Sequence, residues 1–142
     1  MTPSPVQLAI VEEAMRWIGT PYHHQGDVLG VGVDCAMLPV RVFTSLGLIP
    51  ADFDPRPYPP DWMLHRDEER YLGHIEQFAR KVDDPMPGDI SLYRVGRCIA
   101  HGGIVINEQE MIHACIRARR VLRAEIEAGS STHKGFWRLH SV

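Results

Sequence analysis

Hydrophobic residues return along this chain with two different periods. Over residues 6–18, Leu8, Ile10, Val11, Met15 and Ile18 recur at helical spacing, with Glu12, Glu13 and Arg16 between them. That spacing predicts an amphipathic helix stopped by Gly19. Residues 35–46 form a mostly apolar stretch ended by Gly47, read as a second helix. Pro39 is expected in its second turn, where it would remove one backbone bond and kink the helix start. Over 61–82, Trp62, His65, Tyr71, Leu72, Ile75, Phe78, Ala79 and Val82 supply a third apolar stripe, interrupted by Gly73. Past the turn Asp83-Asp84-Pro85-Met86-Pro87-Gly88-Asp89 the period shortens to two. Short strands are predicted at 90–93, 102–106, 111–114, 121–126 and 136–139, separated by turn residues. Helices first and then an antiparallel meander make an α+β class, with N-terminal helices packed on a C-terminal antiparallel β-sheet.

Two stretches lack either period. Residues 23–33 are polar and glycine-rich and read as a loop. Residues 49–60 hold five of the eleven prolines, with Phe53 and Tyr58 among them. They read as an irregular surface segment, extended or polyproline-like. Neither flank could build a core alone, so 1–142 is read as a single domain with 49–82 as an insertion. The aromatic residues of that insertion suit a lid over a site.

Composition narrows the classes. The chain is 44% hydrophobic and 23% charged, ordinary for a globular protein. A net charge of −3 gives no electrostatic case for nucleic acid. Arg117, Arg119, Arg120 and Arg123 cluster, but Glu125 and Glu127 follow them. No apolar run approaches the length of a membrane span. Residues 1–5 show no basic stretch leading into an apolar one, so no secretory signal is read there and synthesis in the cytoplasm is expected. Three cysteines without a CxxC spacing suggest neither a disulfide framework nor a zinc ribbon.

The candidate chemistry centres on Gly30-Val31-Gly32-Val33-Asp34-Cys35. A glycine-rich approach delivers an acid and then a thiol to the start of the second helix. There the helix dipole and unpaired N–H groups favour a thiolate. Such a nucleophile needs a base and a group that orients the base. His101 opens one predicted strand and His113 sits in the next, joined by a hairpin through 107–110. Alternation lets both project to one face. If the Cys35 helix packs on that face, a Cys–His–His row results, with His101 as base and His113 as its orienter. Gly102 and Gly103 suit close approach of a helix or substrate to the sheet. Against this stand plainer readings: Cys35 as a small buried hydrophobe, and the eight histidines as mostly structural. A Cys–His–His zinc site is a further reading, but the spacing matches no compact ligand pattern. No cofactor is called for.

Several blocks in order resemble the NlpC/P60 family of papain-like cysteine peptidases. They are Trp17-Ile18-Gly19-Thr20-Pro21-Tyr22, Gly32-Val33-Asp34-Cys35, Pro87-Gly88-Asp89-Ile90, His101-Gly102-Gly103-Ile104 and Met111-Ile112-His113-Ala114. The resemblance implies a papain-like α+β fold with the nucleophile at a helix N-terminus against the sheet. It implies hydrolysis of amide bonds in peptidoglycan stem peptides, commonly between γ-D-glutamate and a diamino acid. It implies Cys35 as nucleophile, His101 as base and His113 as orienter, with Tyr22, Asp34, Ala36 and Gly102 on the substrate side. The Pro/Tyr-rich insertion resembles the compact phage-tail and gene-transfer-agent subgroup. That implies other tail proteins as partners and action at a virion tail tip. Ala36-Met37 and Pro39 depart from the family pattern and put the shape of the substrate pocket in question. Two other readings remain: a tail or wall-binding module without activity, and a thiol amidase or acyltransferase on a non-wall substrate.

Overall fold

The computed structural model describes residues 2–60 and 69–142. Helix α1 spans Pro5–Arg16. Ser4 caps it: the Gln7 N–H donates to Ser4 Oγ at 3.2 Å, and the Ser4 N–H donates to Gln7 Oε1 at 2.9 Å. Pro5 follows at the first helical position, where a missing N–H loses nothing. The helix turns Ile10 and Ala14 inward. Leu8, Met15 and Ile18, expected in the buried stripe, face outward.

Helix α2 spans Met37–Ser45 and is buried almost all round, through Met37, Leu38, Pro39, Val40, Val42 and Phe43. Pro39 is the third residue within these bounds, but the turn is already opened one step earlier by the Leu38 N–H donating to the Asp34 carbonyl, so the ring removes the next bond, to the Cys35 carbonyl, as the sequence suggested. Residues 23–33, expected as loop, contain a small antiparallel hairpin of β1 (Asp27–Val28) and β2 (Gly32–Val33).

Helix α3 spans Arg70–Phe78. The third predicted helix began at residue 61; residues 61–68, with Trp62 and His65, lie outside the described residues. At its other end the expectation is corrected. Ala79–Val82 is a strand, β3. Phe78 and Ala79 continue the helical apolar spacing, which hid the change. Pairing with a distant strand decides it: Ala79 sits opposite Leu139 and Val82 opposite Phe136.

The remaining strands are β4 (Ile90–Val95), β5 (Cys98–Val105), β6 (Glu110–Cys115), β7 (Arg120–Glu125) and β8 (His133–Leu139). They form one six-stranded antiparallel sheet in the order β3-β8-β4-β5-β6-β7. Only β4 to β7 are a meander. The last strand crosses back and inserts between β3 and β4. Arg138 fastens it there, donating from Nε to Asp89 Oδ1 and from Nη2 to Asp89 Oδ2, both at 2.9 Å. On the helix face, register aligns Trp137, Ile90, Ile104 and Ile112 across four strands. These residues share one buried cluster with Ile10, Met37, Leu38 and Val42. The helices therefore cover this face, as an α+β papain-like fold requires. Among the described residues, no helix is long and apolar enough to cross a membrane.

Candidate active site

Asp34 organises the site. It is 2% exposed. Its Oδ1 accepts the Met37 N–H at 2.9 Å, and its carbonyl accepts the Leu38 N–H at 3.1 Å. It therefore acts as the N-cap of the α2 segment. Its Oδ2 accepts the Gln25 N–H and the Tyr58 hydroxyl, each at 2.7 Å, with His24 Nδ1 3.8 Å away. Both oxygens are occupied from within the chain. A substrate group reaching Asp34 would have to replace one of these donors.

Cys35 follows directly, partly buried against the main core. Its Sγ donates to the Ala100 carbonyl at 3.7 Å. The backbone N–H groups of Cys35 and Ala36 and the Tyr22 hydroxyl favour the thiolate, as a helix start should. Burial, first, and the Asp34 carboxylate, second, outweigh them and push the thiol up to about 12. The expectation of an acidic thiol is thus reversed in this arrangement. Tyr22 itself is pushed above its usual range by burial and by the neighbouring Cys35 and Asp34. Tyr58 and Tyr71 are pushed up by burial and the same two groups.

Cys35 meets the sheet at an irregularity. Tyr93 pairs with His101 and Arg94 with Ile99, so Ala100 is the extra residue of a bulge at the start of β5. His101 comes next. Its Nε2 lies 2.8 Å from His113 Nδ1, and the two rings meet edge to face with centroids 5.0 Å apart. Burial, and then the His113 charge, hold His101 down at about 4. His113 is lowered by burial, with Glu127 acting in the opposite sense. Both imidazoles are therefore neutral near pH 7. A neutral His101 whose Nε2 is engaged by His113 keeps Nδ1 to accept a proton.

The two histidines share a face, but not the one covered by the helices. A Cβ on Gly102 would come within 2.8 Å of the Tyr71 hydroxyl, toward α3. A Cβ on Gly103 would collide with Met111 Sδ on the opposite face. His101 and His113 alternate with Gly102 and Ile112, and so lie on the Met111 side. Tyr93 backs them there, its ring centroid 6.1 Å from that of His101 and its hydroxyl 3.6 Å from Met111 Sδ. The condition set from sequence, α2 packed on the histidine face, is not met. Cys35 approaches β5 at its bulged end instead, and its hydrogen bond goes to Ala100 rather than to His101.

The cleft beside the thiol is small, about 30 Å³, and Tyr22, Asp34, Ala36, Tyr58, Pro59, Tyr71 and Ala100 are among its walls. As walls of the thiol cleft, Tyr58 and Tyr71 went unrecognised in the sequence, which placed Tyr58 only among the aromatics suited to a lid. Tyr58 lies in an aperiodic proline run, and Tyr71 was read only as part of a stripe. Among the described residues no three His, Cys, Asp or Glu groups converge as a metal site would require.

Residues 19–140 match the model of the NlpC/P60 family. Among solved structures, the chain resembles the NlpC/p60 domain of the peptidoglycan hydrolase SagA, with 20% identity, 92% of this chain and 96% of that one covered, and a TM-score of 0.62. It resembles an NlpC/P60 family protein from Bacillus cereus ATCC 10987 at 20% identity and TM-score 0.67; 96% of this chain matches 41% of that longer one. It also resembles RipD from Mycobacterium tuberculosis, a non-catalytic NlpC/p60 domain protein adapted to peptidoglycan binding. That match has 13% identity, covers 95% and 97% of the two chains, and has a TM-score of 0.62. A search of curated protein sequences returns no match.

Proposed function

The chain belongs to the NlpC/P60 family, and from that premise we propose that it is a cysteine peptidase or amidase acting on peptidoglycan stem peptides. In this reading the Cys35 thiolate attacks the amide carbonyl and His101 takes the thiol proton. His113 orients His101, and the backbone N–H groups of Cys35 and Ala36 face the developing oxyanion. The amine leaves with a proton from His101, and water then hydrolyses the thioester. The bond between γ-D-glutamate and a diamino acid is the proposed target. Tyr22, Asp34, Ala36 and Gly102 are the proposed substrate side. Association with a phage or prophage tail belongs to the same proposal and is supported by the Pro/Tyr-rich insertion alone.

The observation that carries the reading is the 2.8 Å contact between His101 Nε2 and His113 Nδ1 beside the bulge that takes the Cys35 thiol. Muropeptide digestion followed by mass spectrometry tests it. The wild type should release cleaved stem peptides, and Cys35→Ala should release none. Equal cleavage by the alanine variant sinks the mechanism.

A second reading is a wall-binding module without activity. One observation favours it: the thiol stands near 12 while His101 stands near 4, so no thiolate–imidazolium pair forms in this arrangement. A thiol pKa measured by pH-dependent alkylation separates the two. A value that stays near 12 when muropeptide is present supports the module, and a fall toward neutrality supports the enzyme.

A further inference from the structure

A second cavity adjoins the thiol cleft and has no role in the reaction as drawn above. It has a volume of about 80 Å³ and lies between α2, α3 and the proline-rich segment, over Ile90 and Leu139. Its walls include Pro39, Val40, Phe43, Ile75 and Phe78. Phe53 closes one side, edge to face with Phe78 at 4.9 Å and with His74 at 5.5 Å between centroids. His74 is kept neutral at pH 7 by burial and by Arg70. Water needs two to four polar partners to settle in such a space, and these walls offer few.

Four residues, Ala36, Tyr58, Pro59 and Tyr71, line both this cavity and the Cys35 cleft. The two spaces are therefore adjacent. Ala36 and Pro39, one and four residues beyond the thiol, both border the apolar cavity. Met37, between them, is fully buried in the core and is a wall of neither space.

We infer that this cavity is a subsite for an aliphatic acyl group of about four carbons, which extends the Cys35 chemistry to acyl donors other than the γ-D-glutamyl amide proposed above. The size follows from comparison with single-water and benzene-sized cavities. The inference rests on Cys35 as the nucleophile for its reaction arm, but the binding arm stands without it. In the reaction, the thiolate carbon–sulfur bond forms as the leaving group departs with the bonding pair. Water then cleaves the thioester to a carboxylic acid and regenerates the thiol.

Two measurements test it. The first follows methyl NMR signals of Val40, Ile75 and Leu139 in Cys35→Ala during titration with isovaleramide, with acetamide as control. Saturable shifts with isovaleramide alone are expected, and they should vanish when Ile75→Trp fills the cavity. The second compares kcat/KM for p-nitrophenyl isovalerate and p-nitrophenyl acetate. A preference of about 10-fold or more for isovalerate is expected. It should fall toward one in Ile75→Trp and move to a longer acyl chain in Ile75→Ala, which also covers a tryptophan variant that fails to fold. Absent methyl shifts, shifts that persist in Ile75→Trp, or a wild-type ratio near one overturn the subsite. Ester hydrolysis retained by Cys35→Ala overturns the nucleophile instead, and the methyl shifts then decide the subsite alone.

Discussion

The Tyr58 hydroxyl donates to Asp34 Oδ2 at 2.7 Å, so the proline-rich segment is fastened to the residue immediately before the candidate nucleophile. Two further bonds run from this segment to the same loop. The Tyr58 N–H donates to Gln25 Oε1 at 3.1 Å, and Arg56 Nη1 donates to the Gln25 carbonyl at 3.0 Å. Arg56 Nη2 also lies 3.3 Å from Asp27 Oδ2 in the β1–β2 hairpin. Pro59 and Pro60 then border the thiol cleft. The segment is thus held by polar ties at one end and by Phe53 packing at the other.

Tyr58→Phe removes the tie to Asp34 and keeps the ring. Asp34 retains two backbone donors, so the stability loss should stay near 1 kcal/mol. Alkylation of Cys35 by iodoacetamide at pH 8 should speed up about 5-fold, the rate gain that a loss of about 1 kcal/mol in closure allows. An unchanged rate would show that this segment does not limit access to the thiol.

Asp34 raises the Cys35 pKa through its charge and lowers the energy of α2 through its cap, and one substitution separates the two effects. Asp34→Asn keeps an acceptor for the Met37 N–H and removes the charge. With the anion gone the thiolate is less disfavoured, so the Cys35 pKa should fall from about 12. Asp34→Ala loses the cap as well, and should be destabilised by about 2 kcal/mol relative to Asp34→Asn. The first is read from pH-dependent alkylation and the second from urea midpoints. A rise in thiol pKa in Asp34→Asn would contradict the assigned cause.

The proposed roles of the histidines predict a split in kinetics. His101→Ala removes the base and should abolish muropeptide cleavage. His113→Ala leaves the base but frees its ring, and should lower kcat about 100-fold with little change in KM. The wild-type acid limb of kcat/KM should lie near pH 4, where His101 takes up its proton. Removing the neighbouring charge, the smaller of the two causes, raises the His101 pKa, so in His113→Ala that limb should move upward from 4 while burial still holds it below 6.5. An acid limb near 6.5 in both proteins would show that His101 is not the group being titrated.

The parts of this fold that were legible in sequence are those written in local chemistry. The helical period of 6–18 marks α1, and the two-residue period of 90–93 and 111–114 marks strands that reappear with slightly longer ends. Asp34-Cys35, His101 and His113 were legible as a motif set. What was hidden depends on pairing across the chain. Strand β3 carries Arg80 and Lys81 outward and reads as helix until Leu139 and Phe136 are set beside it. The Ala100 bulge cannot be inferred from one strand, and it decides where Cys35 meets β5. The thiol pKa was misjudged because a helix start is local, whereas burial under Tyr58, Pro59 and Tyr71 is not.

Asp89 illustrates a long-range tie with a measurable value. It is 1% exposed, paired with Arg138 through two bonds, and accepts the Met86 N–H at 2.7 Å. Asp89→Ala leaves the half-buried Arg138 guanidinium without its carboxylate partner, so that its tie to the turn before β4 is reduced to the 2.8 Å bond from Nη2 to the Asp84 carbonyl. A loss of about 3 kcal/mol in urea unfolding is expected. A loss under 1 kcal/mol would mean that β8 is held by Trp137 and Leu139 packing alone.

The buried histidines make stability depend on pH with a definite sign. His101 has a folded pKa near 4 against 6.5 for an ordinary histidine. Its contribution is therefore present above pH 6.5 and is lost as pH falls from 6.5 through 4, because the unfolded chain binds a proton that the folded chain refuses. The 2.5-unit gap corresponds to about 3 kcal/mol across that window. His113 and His133, also lowered by burial, act in the same direction. For a chain of this length the melting temperature should drop by about 10 °C between pH 7 and pH 4.5. Carboxylates titrate in the lower part of this range, so the comparison that isolates the histidine is His101→Asn. That variant should be flatter than the wild type between pH 6.5 and 5, where carboxylates are still charged. Parallel curves for the two proteins over that interval would show that His101 is not buried in its neutral form.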